Sequence, residues 1–126
     1  MKQILDFTQD INVDIEINKN RDLDATLHCI YVDGDGIENN FEFAEYTTAL
    51  LQVKKSADSD VIALVLSTIS NTIQLLPEGR IRFRLKPEEV NVRAGKYVYD
   101  LYLFNSTYKK RQFMSGNFII KDTVTN

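Results

Sequence analysis

Gly95-Lys96-Tyr97-Val98-Tyr99-Asp100-Leu101-Tyr102-Leu103-Phe104, preceded by Ala94, is the densest aromatic run of the chain, with three tyrosines and a phenylalanine inside eight residues. A period of two divides it. Tyr97, Tyr99, Leu101 and Leu103 share one face, and Val98, Asp100, Tyr102 and Phe104 share the other. Residues two apart share a face in an extended chain, so the run reads as a strand. Its aspartate raises the question of catalysis. General acid–base work needs a second titrating group or a metal within reach, and no residue at an identifiable spacing supplies one. Asp100 is therefore expected to accept hydrogen bonds from backbone, a hydroxyl or an arginine of a neighbouring strand.

The same period runs through the rest of the chain. Val13, Ile15 and Ile17 alternate with Asn12, Asp14, Glu16 and Asn18, a strand with one wet face. Segment 25–33 is apolar on both alternations and ends in the turn Asp33-Gly34-Asp35-Gly36. In segment 80–86, Ile81, Phe83 and Leu85 alternate with Arg80, Arg82, Arg84 and Lys86. Residues 106–110 read as a polar turn and 111–122 as a strand in which Gly116 suggests a bulge or bend. Segments 46–55 and 60–70 fit either a strand or a helix. β-branched residues favour a strand for 46–55, with Thr47, Ala49, Leu51 and Val53 on one face. Segment 71–79 reads as a short strand closed by Pro77-Glu78-Gly79.

Seven or eight short strands with turn signals between them predict an all-β sandwich. A glycine followed two residues later by a tyrosine, at the start of a late strand, fits the tyrosine corner of immunoglobulin-like sandwiches. Its hydroxyl bonds back to upstream backbone. Gly95 and Tyr97 take those places. Antibody domains carry a cysteine two residues after the corner tyrosine; here that residue is Tyr99, and the chain has no tryptophan. The expected fold is an immunoglobulin-like antiparallel β-sandwich without the antibody core.

A chain of 126 residues, 44% hydrophobic and 26% charged, fits one domain over 1–126, able to bury a core without disulfides or metals. The formal net charge of −3 argues against a surface devoted to nucleic acid. The single cysteine, Cys29, excludes an intrachain disulfide and reads as a buried apolar residue. The N-terminus has no apolar signal-peptide region, and no window approaches a membrane span. The chain is expected to be synthesised in a reducing cytoplasm, with no membrane partner.

His28 adjoins Cys29, so a strand points them to opposite faces and they cannot act together. The loop from Asp33 has Ile37, Glu38 and Ala44 where a calcium loop needs an oxygen ligand, glycine and glutamate, so it reads as a surface turn, as does the loop with Asp58 and Asp60. Arg80, Arg82, Arg84 and Lys86 project from one strand face at a spacing of about 6.5–7 Å. This stripe reads either as a docking strip for an acidic partner surface or a nucleic-acid backbone, the latter disfavoured by the acidic total, or as a solvated sheet face paired with its neighbours. Asp14 and Glu16 offer a complementary strip, within the molecule or on the next copy. Residues 108–112 read as a basic hairpin tip. No phosphate loop, catalytic triad order or metal-ligand spacing is present in the sequence, so no cofactor is expected.

The order Ala49-Leu50-Leu51-Gln52-Val53-Lys54, Leu66-Ser67-Thr68, Ile73, Gly79 through Leu85, Gly95-Lys96-Tyr97-Val98-Tyr99-Asp100-Leu101 and Gly116 through Thr125 resembles a family of small tailed-bacteriophage proteins. They share a G-x-Y-x-Y-D-L strand and a closing G-x-hydrophobic-x-hydrophobic strand, and are similar to the immunoglobulin-like N-terminal domain of phage baseplate upper proteins. The resemblance covers about Leu5 to Thr125. The chain departs from it at Asp22-Leu23-Asp24-Ala25-Thr26, where the family has D-L-T-G, and in the long segment 32–46. The resemblance implies a non-enzymatic structural protein of the virion. It would dock on the capsid or the tail and baseplate assembly through protein–protein contacts with other virion proteins or its own copies. The alternative expectation is an intracellular β-sandwich module that recognises a peptide or carbohydrate through exposed aromatics such as Tyr102, Phe104 or Tyr108.

Overall fold

The structure is a computed structural model and describes residues 2–5, 11–105 and 111–122. The described residues form ten strands: β1 (Lys2–Leu5), β2 (Ile15–Asn18), β3 (Leu23–Val32), β4 (Glu38–Asn40), β5 (Thr48–Lys54), β6 (Ile62–Ser67), β7 (Ile73–Leu76), β8 (Arg80–Leu85), β9 (Gly95–Phe104) and β10 (Arg111–Lys121). A single 3-10 turn, Pro87–Glu89, follows β8. One sheet runs β1-β3-β8-β7 with β4 also on β3, and the other runs β2-β10-β9-β5-β6. This strand order is that of an immunoglobulin-like sandwich: β3, β8 and β7 face β10, β9 and β5, and β6 extends the second sheet as in variable-type domains. The antiparallel expectation holds for the body of both sheets. At the N-terminal flank, however, β1 lies parallel to β3 and β2 parallel to β10.

Alternation explains how the sheets close. Ile81, Phe83 and Leu85 of β8 are buried, as are Ala49, Leu51 and Val53 of β5 and Tyr99, Leu101 and Leu103 of β9. They meet Leu27, Cys29, Phe118 and Ile120 in one core. Each fully buried large apolar side chain contributes about 1.5–3 kcal/mol of transfer free energy. This inner face settles the two ambiguous segments as strands: β5 over most of 46–55, and β6 followed by a turn over 60–70. The long segment 32–46 has a packing role. Its Phe41 and Phe43 lie 4.9 and 5.6 Å from the Phe113 ring, and all three rings are buried at one end of the sandwich.

Two glycines are required by close backbone approach. Gly79 has φ +73°, and a Cβ there would sit 2.5 Å from the Cys29 carbonyl oxygen. At Gly116 a Cβ would sit 2.3 Å from the Val13 carbonyl oxygen. The bulge expected at Gly116 lies instead between Gln112 and Met114, and Gly116 is there to let β10 pass against the backbone of residue 13. Gly95 differs, since a Cβ there would meet only the Tyr97 ring edge at 3.7 Å.

Candidate functional site

Tyr97 donates its hydroxyl to the Arg93 carbonyl at 2.7 Å, four residues upstream. That is the bond of a tyrosine corner, tying the crossover after Pro87–Glu89 to the start of β9. Tyr99, two residues on, makes a second tie that the sequence did not announce. Its buried hydroxyl donates to the Val13 carbonyl at 2.6 Å and joins β9 to the segment leading into β2. Burial, then the charges of Asp14 and Asp100, hold the Tyr99 hydroxyl well above the ordinary tyrosine range.

Asp100 lies on the outer face of β9. Gln112 Nε2 donates to its carboxylate at 3.1 Å, and the Tyr102 hydroxyl also hydrogen-bonds it. The carboxylate partners are thus a side-chain amide on β10 and a phenol on its own strand. Burial, then the Asp100 charge and hydrogen bond, raise the Tyr102 hydroxyl above its ordinary value.

His28 Nε2 lies 2.6 Å from Asn40 Oδ1, while Cys29 points into the core, where burial pushes its thiol up to about 12. Asp33 organises its own turn. One carboxylate oxygen accepts the N–H groups of Asp35 and Ile37 at 2.9 and 3.0 Å, and the other accepts Asn39 Nδ2 at 3.0 Å. The Asn39 bond, then that from Ile37, lower its pKa. Among the described residues no cluster of three or more metal-ligating side chains occurs, and no helix is long and apolar enough to cross a membrane.

The outer face of the first sheet carries the arginine stripe. Arg80, Arg82 and Arg84 lie in register with His28, Thr26 and Asp24 of β3. Arg82 reaches diagonally to Asp24 in a two-bond fork, with Nε to Oδ1 at 2.8 Å and Nη2 to Oδ2 at 2.6 Å. This fork is the main cause that lowers the Asp24 pKa. Arg80 pairs with Glu78 at 3.5 Å. Arg84 and Lys86 stay exposed at the rim of an open cleft of about 510 Å³, with Asp22, Ser70 and Glu88 among its other lining residues. The intramolecular complement expected from Asp14 and Glu16 is not made, because β2 belongs to the other sheet. Glu16 pairs with Lys121 at 3.1 Å, and Asp14 accepts the Asn117 N–H at 3.1 Å. The partner of Arg82 comes from the neighbouring strand β3 and that of Arg80 from the turn before β8, which the alternation of β8 alone could not identify. The basic tip at 108–112 lies mostly outside the described residues; of its side chains only that of Gln112, the Asp100 partner, is described.

The outer face of the second sheet is different in kind. Registers across β6, β5, β9 and β10 set three rows: Ser67, Leu50, Tyr102, Gln112; then Val65, Gln52, Asp100, Ser115; then Ile62, Lys54, Val98, Asn117. Phe104 extends this face beyond Tyr102, opposite Thr48. Leu50, Val98, Tyr102 and Phe104 are half-buried, and Val65 and Ile62 are exposed. The face is therefore a patchwork of apolar and aromatic side chains around the Asp100–Gln112–Tyr102 cluster. The sequence had shown the outward half of β9, but not that β5 and β6 would extend it. Chemically it can bury apolar area and hydrogen-bond at its centre.

No protein-family model matches the chain, and no curated protein does either. Among solved structures, 29 chains match. One is Tim-1, similar at 10% sequence identity over 94% of this chain and 99% of that chain, with a TM-score of 0.42. At that score the overlap is one of general shape.

Proposed function

We propose that this chain is a non-enzymatic docking protein, an accessory structural component of a tailed-phage particle that attaches to the capsid or to the tail and baseplate assembly. The observation that carries the docking part is the outer face of the second sheet. Leu50, Val98, Tyr102, Phe104, Val65 and Ile62 border a central polar cluster on a rigid five-stranded platform. Protein interfaces are built this way, with aromatic and aliphatic anchors supporting a few oriented hydrogen bonds. The particle assignment rests on the Gly95–Leu101 strand motif and the resemblance it carries. In this reading the chain is synthesised in the host cytoplasm and ends in the virion. Arg84 and Lys86 form a second, cationic contact for an acidic protein surface. Repetition over many copies multiplies modest contacts through avidity.

Mass spectrometry of gradient-purified particles from the producing host tests the proposal. The expected result is this chain at fixed stoichiometry, with incorporation reduced by Leu50→Asp or Tyr102→Asp in a chain that still folds. Absence of the wild-type chain from purified particles would sink the virion reading.

A second reading is favoured by one observation, the cluster of Tyr102, Asp100 and Gln112, with Phe104 two residues further along the same strand face. An aromatic ring flanked by a carboxylate and an amide also suits a sugar or an extended peptide. Saturation-transfer NMR with oligosaccharides and short peptides separates the readings. Transfer that is lost in Tyr102→Ala supports the recognition module.

A further inference from the structure

Within the three rows of the second sheet's outer face, only Lys54 and Asp100 carry charge. They are opposite in sign, and both are half-buried. The register of β5 on β9 fixes their positions. Gln52 stands opposite Asp100 and Lys54 opposite Val98, so the four residues mark the corners of a rectangle of about 4.8 by 6.8 Å. The two charges take one diagonal and the neutral pair takes the other. Lys54 and Asp100 are therefore about 8 Å apart at Cα. Among the described residues Lys54 forms no ion pair. The groups bonded to Asp100, the Gln112 amide and the Tyr102 hydroxyl, are neutral.

Apolar side chains surround this rectangle. Val65 stands beside Gln52, Ile62 beside Lys54 because β6 bulges at Ala63, and Leu50 beside Tyr102. A protein that covers them also takes both charges out of water, and a charge left unpaired in such a contact is costly. A matching partner sets an anion over Lys54 and a cation over Asp100, about 8 Å apart, with apolar groups around them. This chain carries that arrangement itself.

We propose that this face packs against the same face of a second copy of this chain. The two-fold axis lies in the plane of contact and runs between Lys54 and Asp100, near the neutral diagonal. Lys54 of each copy then lies over Asp100 of the other, while Gln52 and Val98 lie close to the axis. Stacked sheets are about 10 Å apart, a gap that an extended lysine and an aspartate span together. The same rotation carries Tyr102 of one copy toward the exposed Ile62 and Val65 of the other. Such an interface is isologous, so it closes as a dimer. The strands of the two copies cross steeply, and sheet twist confines contact to the middle of the face. A contact of that extent is at the small end of specific interfaces, so the dimer is concentration-dependent. This pairing rests on the reading of the face as a docking surface and names its partner.

Light scattering on the purified chain across a concentration series tests it, with circular dichroism to check the fold of each variant. The wild-type mass should rise toward twice the 14.5 kDa chain mass as concentration increases. Lys54→Glu and Asp100→Lys each set like charges over one another and should stay monomeric where wild type is dimeric. The double variant Lys54→Glu/Asp100→Lys should dimerise again, because the swap restores opposite signs. Arg84→Glu, on the other sheet, should dimerise as wild type does. A wild-type chain that is monomeric at every concentration overturns the proposal. So does a folded Lys54→Glu chain that still dimerises, or a double variant that stays monomeric. Particle incorporation that falls with Leu50→Asp, in a chain that never dimerises, removes the dimer and keeps the docking reading. A dimer that is absent from particles keeps the dimer and removes the virion reading.

Discussion

Replacing each of the two hydrogen-bonded tyrosines of β9 by phenylalanine removes one oxygen and nothing else, yet the two substitutions should not cost the same. Tyr97 bonds the Arg93 carbonyl at an exposed corner, so in Tyr97→Phe water can take over that acceptor. The loss is that of an ordinary hydrogen bond, about 1 kcal/mol. Tyr99 bonds the Val13 carbonyl in the interior. Tyr99→Phe leaves that carbonyl facing a ring edge with no water to replace the donor, so the desolvation cost falls in full, about 2 kcal/mol. An unfolding entropy of about 2.1 cal/mol/K per residue makes 1 kcal/mol about 4 °C for a chain of this length. Tyr97→Phe should therefore lower Tm by about 4 °C and Tyr99→Phe by about 8 °C. Differential scanning calorimetry measures both, and urea midpoints give an independent check on the order. A Tyr99→Phe chain that melts within a degree of wild type, or a reversed order, refutes the reasoning about the buried acceptor.

Other outcomes follow from the same contacts. Gly79→Ala should cost about 2 kcal/mol or more, since the new Cβ meets the Cys29 carbonyl at 2.5 Å in a left-handed backbone, whereas Gly95→Ala should leave Tm nearly unchanged. Glu78 has φ 62°, so Glu78→Gly should raise stability by about 0.5–1 kcal/mol in chemical denaturation despite the loss of the exposed Arg80 contact. Stability should fall at alkaline pH. The Cys29 and Tyr99 pKa values are raised in the fold, so their contribution is complete below the unfolded thiol value of 9.0 and is lost as pH rises toward about 12. Urea midpoints at pH 8 and pH 10.5 should show this, and Cys29→Ala should flatten the slope. Arg82→Glu should destabilise by setting a carboxylate against Asp24, while Arg84→Glu leaves the fold intact, so the latter is the clean probe of the cationic contact in particle incorporation.

Local alternation carried most of the secondary structure. The faultless pattern of 80–86 gave β8 with Ile81, Phe83 and Leu85 inside. The glycine–tyrosine pair pointed to a corner because that motif is local, with donor and acceptor four residues apart. What was not legible depends on which strands lie side by side. Asp14 and Glu16 looked complementary to the arginines, but strand order put them in the other sheet. Gly116 resembled a bulge because a glycine in a strand signals either a bulge or a close neighbour, and the neighbour, Val13, is far away in sequence. The aromatic face around Asp100 needed the registers of β5 and β6, and the Ala63 bulge shifts the phase that places Ile62 beside Lys54. No single strand contains that information.

The parallel pairing of β2 with β10 has a consequence for how the chain is made. Asn117 N–H reaches Asp14 across 103 residues, and Tyr99 and Gly116 both close on Val13. A ribosome releases β2 long before β10. Until β10 emerges, β2 has no strand to join, and the inner faces of β5 and β9 lack the cover of Phe118 and Ile120. Contacts of such long sequence separation slow folding. The second sheet can be completed only once β10 has emerged, so a truncation before Phe118 should yield an aggregation-prone chain, not a smaller stable domain.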